Sequence, residues 1–193
     1  MLLDVFFFSL VVALIRKGKL GRLANIPLKR LELIILAFLI QFGLVLLGKK
    51  AFSFLLNWGA YLHILSYLLL LVAMWYNRHI REMKIIGLGI LINFIVILAN
   101  GGQMPVSTHA LLKAHLEDFL HLLSSKTYVI YTILTDNARL KFLADVIPLP
   151  PPYPRPRVLS IGDIIMAVGL FLLIQRGMVQ SKAKGSSKQV LRS

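Results

Sequence analysis

Five stretches of the chain are apolar almost throughout: 1–15 (MLLDVFFFSLVVALI), 31–48 (LELIILAFLIQFGLVLLG), 54–76 (FLLNWGAYLHILSYLLLLVAMWY), 85–100 (IIGLGILINFIVILAN) and 158–175 (VLSIGDIIMAVGLFLLIQ). A helix needs about 17–25 residues to cross about 30 Å of hydrocarbon. The third stretch reaches that length unaided. The first and fourth are short, so as spans they require bilayer thinning or snorkelling by flanking charges. The first lacks a basic region ahead of its apolar run and a small-residue cleavage site after it, so it reads as a retained helix, not a signal peptide. The pattern predicts an all-α membrane protein, a five-helix transmembrane bundle forming one domain over 1–176, with 177–193 a basic, disordered cytoplasmic tail.

Between the fourth and fifth stretches the pattern changes. Asn100, Gly101 and Gly102 tolerate the left-handed backbone that ends a helix. Ser107 or Thr108 then caps a new one expected to run to Ser124, with Leu111, Leu112, Leu116, Phe119, Leu120, Leu122 and Leu123 on one arc. This is an amphipathic surface helix. TYVIYTIL (127–134) is either a short extended segment or an interfacial turn, and TDNARLKFLADV (135–146) predicts a second short helix opened by Thr135 and Asp136. Six of the eight prolines fall within 148–156. Such a run favours polyproline II with solvated carbonyls, so 147–157 is expected to be a semi-rigid connection in water or against protein, leading back to the last span.

Composition agrees with the pattern. The chain of 193 residues is 58% hydrophobic, 16% charged and of mean hydropathy +0.77, against about 45–50% and about 25% for soluble domains. With no cysteine, disulfides, thiolate nucleophiles and cysteine-based zinc sites are excluded. The net charge of +14 would suggest nucleic acid in a soluble protein. Here it is read as cytoplasmic charge facing anionic headgroups, because no basic run is interleaved with stacking aromatics. Lys and Arg number six in 16–30, three in 77–84 and five from Arg176 onward, and alternate connections share a side. The short loops therefore put the N-terminus outside, the C-terminus inside and 101–157 outside. Trp58 and Trp75, 17 residues apart and so about 26 Å along a helix, match two interfacial belts.

Candidate chemistry is sparse. His109, His115 and His121 come at steps of six and point in three directions, so one helix gathers no zinc site. No metal and no cofactor are expected. Asp4, Gln41, Asn57, His63, Asn93, Asn100 and Asp163 are the polar residues of the spans, and most fall in the outer half. Charges inside a bilayer are costly, so this asymmetry predicts an outward-facing polar cavity. The candidate ligand-binding cluster is Asp4, Asn100, Gln103, His115 and Asp163. The plainer roles stand beside it. Ser160-Ile-Gly-Asp163 has the form of a capping box, and Asp4 and Asp163 both sit at the positive end of a helix dipole. Gln41 and Asn93 read as interhelical hydrogen-bond partners, and Gly162 and Gly169 as points of close helix approach.

NGGQMPVS (100–107), DVIPLP (145–150) and SIGDIIMAVG (160–169), after a basic loop ending in ANIPLKR, together resemble a bacterial family of short integral membrane proteins classed only as a domain of unknown function. The resemblance spans nearly the whole chain and implies a bacterial cytoplasmic membrane. It marks Asn100, Gly101, Gly102, Pro105, Ser107 and Asp163 as pattern residues and supplies no activity. The preferred reading is a non-enzymatic module binding a partner protein, lipid headgroup or small ligand at its outer face. Its partners are membrane lipids, with a second copy or another protein as further possibilities and no nucleic acid. A small oligomeric transporter or flippase is the alternative, although no inverted repeat is visible. A membrane enzyme acting on a lipid, with His115, His121, Asp118 or Asp163 as acid–base groups, is third.

Overall fold

The structure, a computed structural model, describes residues 1–48, 53–125 and 128–179. The expected tail lies almost wholly outside them, as do Lys49, Lys50 and Thr127. Five helices follow the five apolar stretches: α1 (Leu2–Ile15), α2 (Leu31–Gly48), α3 (Ser53–Tyr76), α4 (Arg81–Ala99) and, after a lobe, α7 (Ile161–Val179). The described parts Asn57–Tyr76, Arg81–Ala99 and Ile161–Val179 are long and apolar enough to cross a membrane. Leu2–Ile15 and Leu31–Leu47 are apolar but shorter. Large apolar side chains, among them Phe7, Phe8, Leu39, Phe42, Leu88 and Leu98, are exposed along these helices, which is the surface a hydrocarbon solvent covers.

α4 and α7 form the most extensive helix pair. α7 also packs on α1, α4 on α3, and α3 on α2. The α4–α7 contact is close because its surfaces carry almost no side chain. A Cβ on Gly89 would lie 2.5 Å from the carbonyl oxygen of Gly162, and one on Gly162 would overlap Asn93 Oδ1. Gly169 repeats the arrangement one layer on, where a Cβ would come within 2.9 Å of Ile86 N. The expected close approach at Gly162 and Gly169 is therefore observed, and α4 supplies its partner.

One end of the bundle is tied together by the basic connections. Asn77 accepts the Lys29 N–H at 2.8 Å and donates to the Lys29 carbonyl at 2.7 Å. Arg22 donates to the Met178 carbonyl at 3.1 Å, and Arg176 spans both oxygens of buried Glu82 at 3.1 and 3.0 Å. That last pair explains why α4 starts at Arg81, four residues before the apolar run. Its polar first turn is held by the end of α7, so the fourth helix is longer than its apolar run suggests.

The opposite end carries the lobe. Gly101 and Gly102 have φ of +70° and +88°, and the Gly102 N–H returns to Ile97 O at 2.8 Å, ending α4 as the Asn-Gly-Gly sequence predicts. Beyond it lie β1 (Met104–Val106), α5 (Thr108–Lys113), α6 (Glu117–Ser124), β2 (Tyr131–Ile133), β3 (Ile147–Leu149) and β4 (Arg157–Leu159). β1 pairs in parallel with β2, Met104 opposite Tyr131, and a bridge joins Val106 to Asp145; β3 and β4 are antiparallel, Ile147 opposite Leu159.

Several expectations are corrected. The lobe contains strands, so the chain is mostly helical and not all-α. The single helix 107–124 is two, because His115 adopts φ +54° and turns the chain between α5 and α6. Of the two readings of 127–134, the extended one holds for 131–133, where β1 supplies a hydrogen-bonding edge. No α-helix forms over 135–146; Leu140 at φ +54° leaves only a 3₁₀ turn at 141–143. The proline run is the tip of the β3–β4 hairpin and not a polyproline rod. Pro148 opposes Val158 in that two-stranded ladder, where every strand is an edge and a missing N–H is tolerated. α7 begins at Ile161, because 157–159 is paired as strand.

Replacing Gly89 by Val should destabilise the folded protein by about 1–3 kcal/mol, whereas Gly21→Val, where a Cβ meets nothing within 4 Å, should be near neutral. Melting of the two variants in detergent checks this.

Candidate functional site

Where α4, α7, α3 and the lobe meet, His63, Tyr67, Asn93, Ile97, Met104, Tyr131, Asp145 and Asp163 line a narrow recess of about 40 Å³. Helical spacing brings pairs of these residues to one face: His63 and Tyr67 on α3, Asn93 and Ile97 on α4. α7 contributes through its first turn. The Asp163 N–H donates to Ser160 Oγ at 3.0 Å, and Asp163 Oδ2 accepts the Ser160 N–H at 3.3 Å, so the capping box forms. The same residues also reach sideways. Ser160 Oγ donates to Asn93 Oδ1 at 2.8 Å, and Asn93 Nδ2 donates to Asp163 Oδ1 at 3.1 Å. Capping and interhelical bonding are thus one network, and Asp163 faces the recess while serving as a cap.

The lobe supplies the other carboxyl. The backbone of Asp145 is held by β1, its N–H donating to Pro105 O at 3.0 Å and its carbonyl accepting from Ser107 N at 2.9 Å. Its side chain lines the recess, the residue is 7% exposed, and among the described residues its carboxyl has no hydrogen-bond partner and no ion pair. Burial first, and the neighbouring Asp163 charge second, push the Asp145 carboxyl well above its usual range. Tyr131 on β2 is pushed up for the same reasons, with the Asp145 charge the largest electrostatic contribution. His63 Nδ1 lies 2.7 Å from the Gly102 carbonyl, which only accepts, so Nδ1 carries a proton and Nε2 is left for the recess side.

The profile of a family of unknown function (DUF5317) matches residues 25–175. The chain belongs to this family. An uncharacterised protein of Thermotoga maritima is 30% identical to it over 173 residues, covering 89% of each chain. No solved structure matches. The family resemblance read from the motifs is thereby borne out, and the family has no assigned role to lend.

Of the five candidate site residues of this family member, Asp163 alone lines the recess. Asp4 lies beside Arg155 at 3.3 Å and Arg157 at 2.8 Å, and Arg157 also feels the Asp163 charge, so the two acids are linked through one guanidinium. Asn100 fastens the end of α4 to Arg139, accepting its N–H at 2.9 Å and donating to its carbonyl at 3.0 Å. Gln103 Nε2 donates to the carbonyls of Tyr128 and Val129 at 3.2 and 3.1 Å. His115 is exposed at the α5–α6 break. Gln41 bonds Ser66 Oγ at 3.1 Å, the interhelical partner role expected of it. Asp145, Tyr67 and Tyr131 are absent from the sequence-derived cluster. The signals for them were faint: Asp145 opens the DVIPLP motif, and Tyr67 follows His63 by one turn.

The folded state holds a proton on Asp145 more tightly than the unfolded chain does. This carboxyl therefore adds stability below its ordinary value of 3.8, and the contribution is lost as pH rises through the raised folded value. In choline buffers Asp145→Asn should melt above the wild type at about pH 8, with the gap closing toward about pH 4. A variant melting lower at the higher pH would assign Asp145 an ionised structural role.

Proposed function

We propose that this protein is a five-span protein of the bacterial cytoplasmic membrane, N-terminus outside and C-terminus inside. In this reading it is a non-enzymatic module that binds a small ligand at its outer face, in the recess between lobe and bundle. The observation that carries it is the convergence of Asp145, Asp163, His63, Tyr67 and Tyr131 on one recess, where the Asp145 carboxyl has no hydrogen-bond or ion-pair partner among the described residues. The Asp145 carboxyl opens onto the recess, where a bound group can reach it. The orientation is supported by the joining of 16–30, the 77–80 turn and the end of α7 at one pole, which concentrates the basic short loops there.

The recess is small, about 40 Å³, which suits an ion or a water or two and favours a small ligand. Binding is also favoured over transport. Toward the basic pole the α3–α4–α7 contact is filled by Leu70, Ala73, Met74, Met83, Ile90, Met166 and Leu173. Anionic headgroups at the basic pole are the expected lipid partners.

The chain has no cysteine, so single-cysteine labelling is clean. Exposed Lys113→Cys should react with an impermeant maleimide in intact cells, and exposed Lys19→Cys only after permeabilisation. The reverse pattern would overturn the outer placement of the recess.

A further inference from the structure

The carboxyl groups of the recess lack sufficient counter-charge. Arg155, Arg157 and the amino group of Met1 all gather on Asp4. Of these only Arg157 also interacts with Asp163. Asp163 further accepts hydrogen bonds from Asn93 and from the Ser160 N–H. Asp145 receives none of this, although it is 7% exposed and lines the same recess. His63 spends its Nδ1–H on the Gly102 carbonyl. Isolated buried carboxylates are strongly disfavoured without a compensating charge. A proton or a single positive ion would balance Asp145.

We propose that the recess is a binding site for a single small monovalent cation of sodium size, held between Asp145 of the lobe and Asp163 of α7, with the Tyr67 and Tyr131 hydroxyls as further oxygen donors. The inference deepens the small-ligand reading above and rests on it. Three properties select this class. The donors are hard oxygens, which suit alkali and alkaline-earth ions and not soft metals. Among the described residues no group of three or more His, Cys, Asp or Glu side chains gathers to hold a metal, as a transition-metal site would require. Calcium and magnesium carry two charges, whereas Asp163 is already met by Asn93, the Ser160 N–H and the Arg157 charge, which leaves the carboxyl of Asp145 for the ion to balance. A bare monovalent ion with at most a water or two is what remains. The ligands come from separate parts of the chain, the lobe and the first turn of α7, so occupancy would fasten the lobe to the bundle.

The test uses the purified full-length protein in detergent, where the sidedness of the membrane plays no part. Radioactive sodium binding is measured against unlabelled sodium or choline as competitor, and melting is followed in sodium or choline chloride at matched ionic strength. Saturable binding of one sodium per chain is expected, displaced by sodium and not by choline. A rise in melting temperature with sodium concentration should accompany it, as binding to the folded state requires. Asp145→Asn should lose both effects while melting no lower than wild type in choline, which separates lost binding from lost folding. Glu32→Gln, an exposed control elsewhere, should keep both. No saturable sodium binding, or equal sodium stabilisation in Asp145→Asn, overturns the proposal, and the recess then holds only a proton or water. A failed labelling test would overturn the outer-face reading and leave this result standing.

Discussion

Two membrane helices can approach backbone to backbone only where side chains are missing, and Gly89 and Gly162 open that gap between α4 and α7. In lipid, helix association has little hydrophobic driving force, so close packing and interhelical hydrogen bonds set the register. The gap brings Asn93 directly against the first turn of α7, and the Asn93–Ser160–Asp163 network follows from it. The lobe leaves from the end of α4 and returns at the start of α7, so the same contact fixes the distance between its two roots. A lobe pinned at both ends is carried onto α3 as well, where Val129 fills the space left by Gly59 and Gly102 sits against Ala60.

The recess is a consequence of that docking. Its polar groups come from α3, α4, α7 and two separate places in the lobe, β2 and Asp145. Asp145 is fixed by the β1 backbone, Asp163 by its cap, His63 by the Gly102 carbonyl, and Tyr67 by stacking on Phe94 at 6.5 Å between ring centres. Rigid supports of this kind hold costly groups in place without help from a ligand. A buried carboxyl that finds no hydrogen bond among the described residues is a local sacrifice of stability, the pattern expected where a site is kept for binding and not for folding.

What the sequence made legible was local. Apolar runs marked the five helices, Asn100-Gly101-Gly102 marked the end of α4, and Ser160 with Asp163 announced a cap, since each depends on a few adjacent residues. The lobe was read less well, because strands of three residues draw their stability from partners far along the chain and show no period of their own. The prolines of 148–156 were read as a rod since Pro donates no hydrogen bond, yet a two-stranded hairpin leaves edges free for it. Of the candidate site, Asp163 was found because it lies in an apolar helix, where an acid is conspicuous. Asp145 lies in a connecting stretch outside the five apolar helices, where an acid is ordinary; only the fold shows that it is buried.

The central claim is that the lobe sits on the helices and thereby brings Asp145 to Asp163. An ideal Cβ at Gly59 lies 3.2 Å from Val129 Cβ, a few tenths of an ångström short of the usual separation of about 3.5–4.5 Å for a disulfide and within reach of a small shift. In this cysteine-free chain, the double variant Gly59→Cys/Val129→Cys should cross-link in native membranes under mild oxidation, seen as a shifted band lost on reduction. A pair that stays reduced, while each single cysteine is present and the protein remains folded, would contradict the docking and with it the recess.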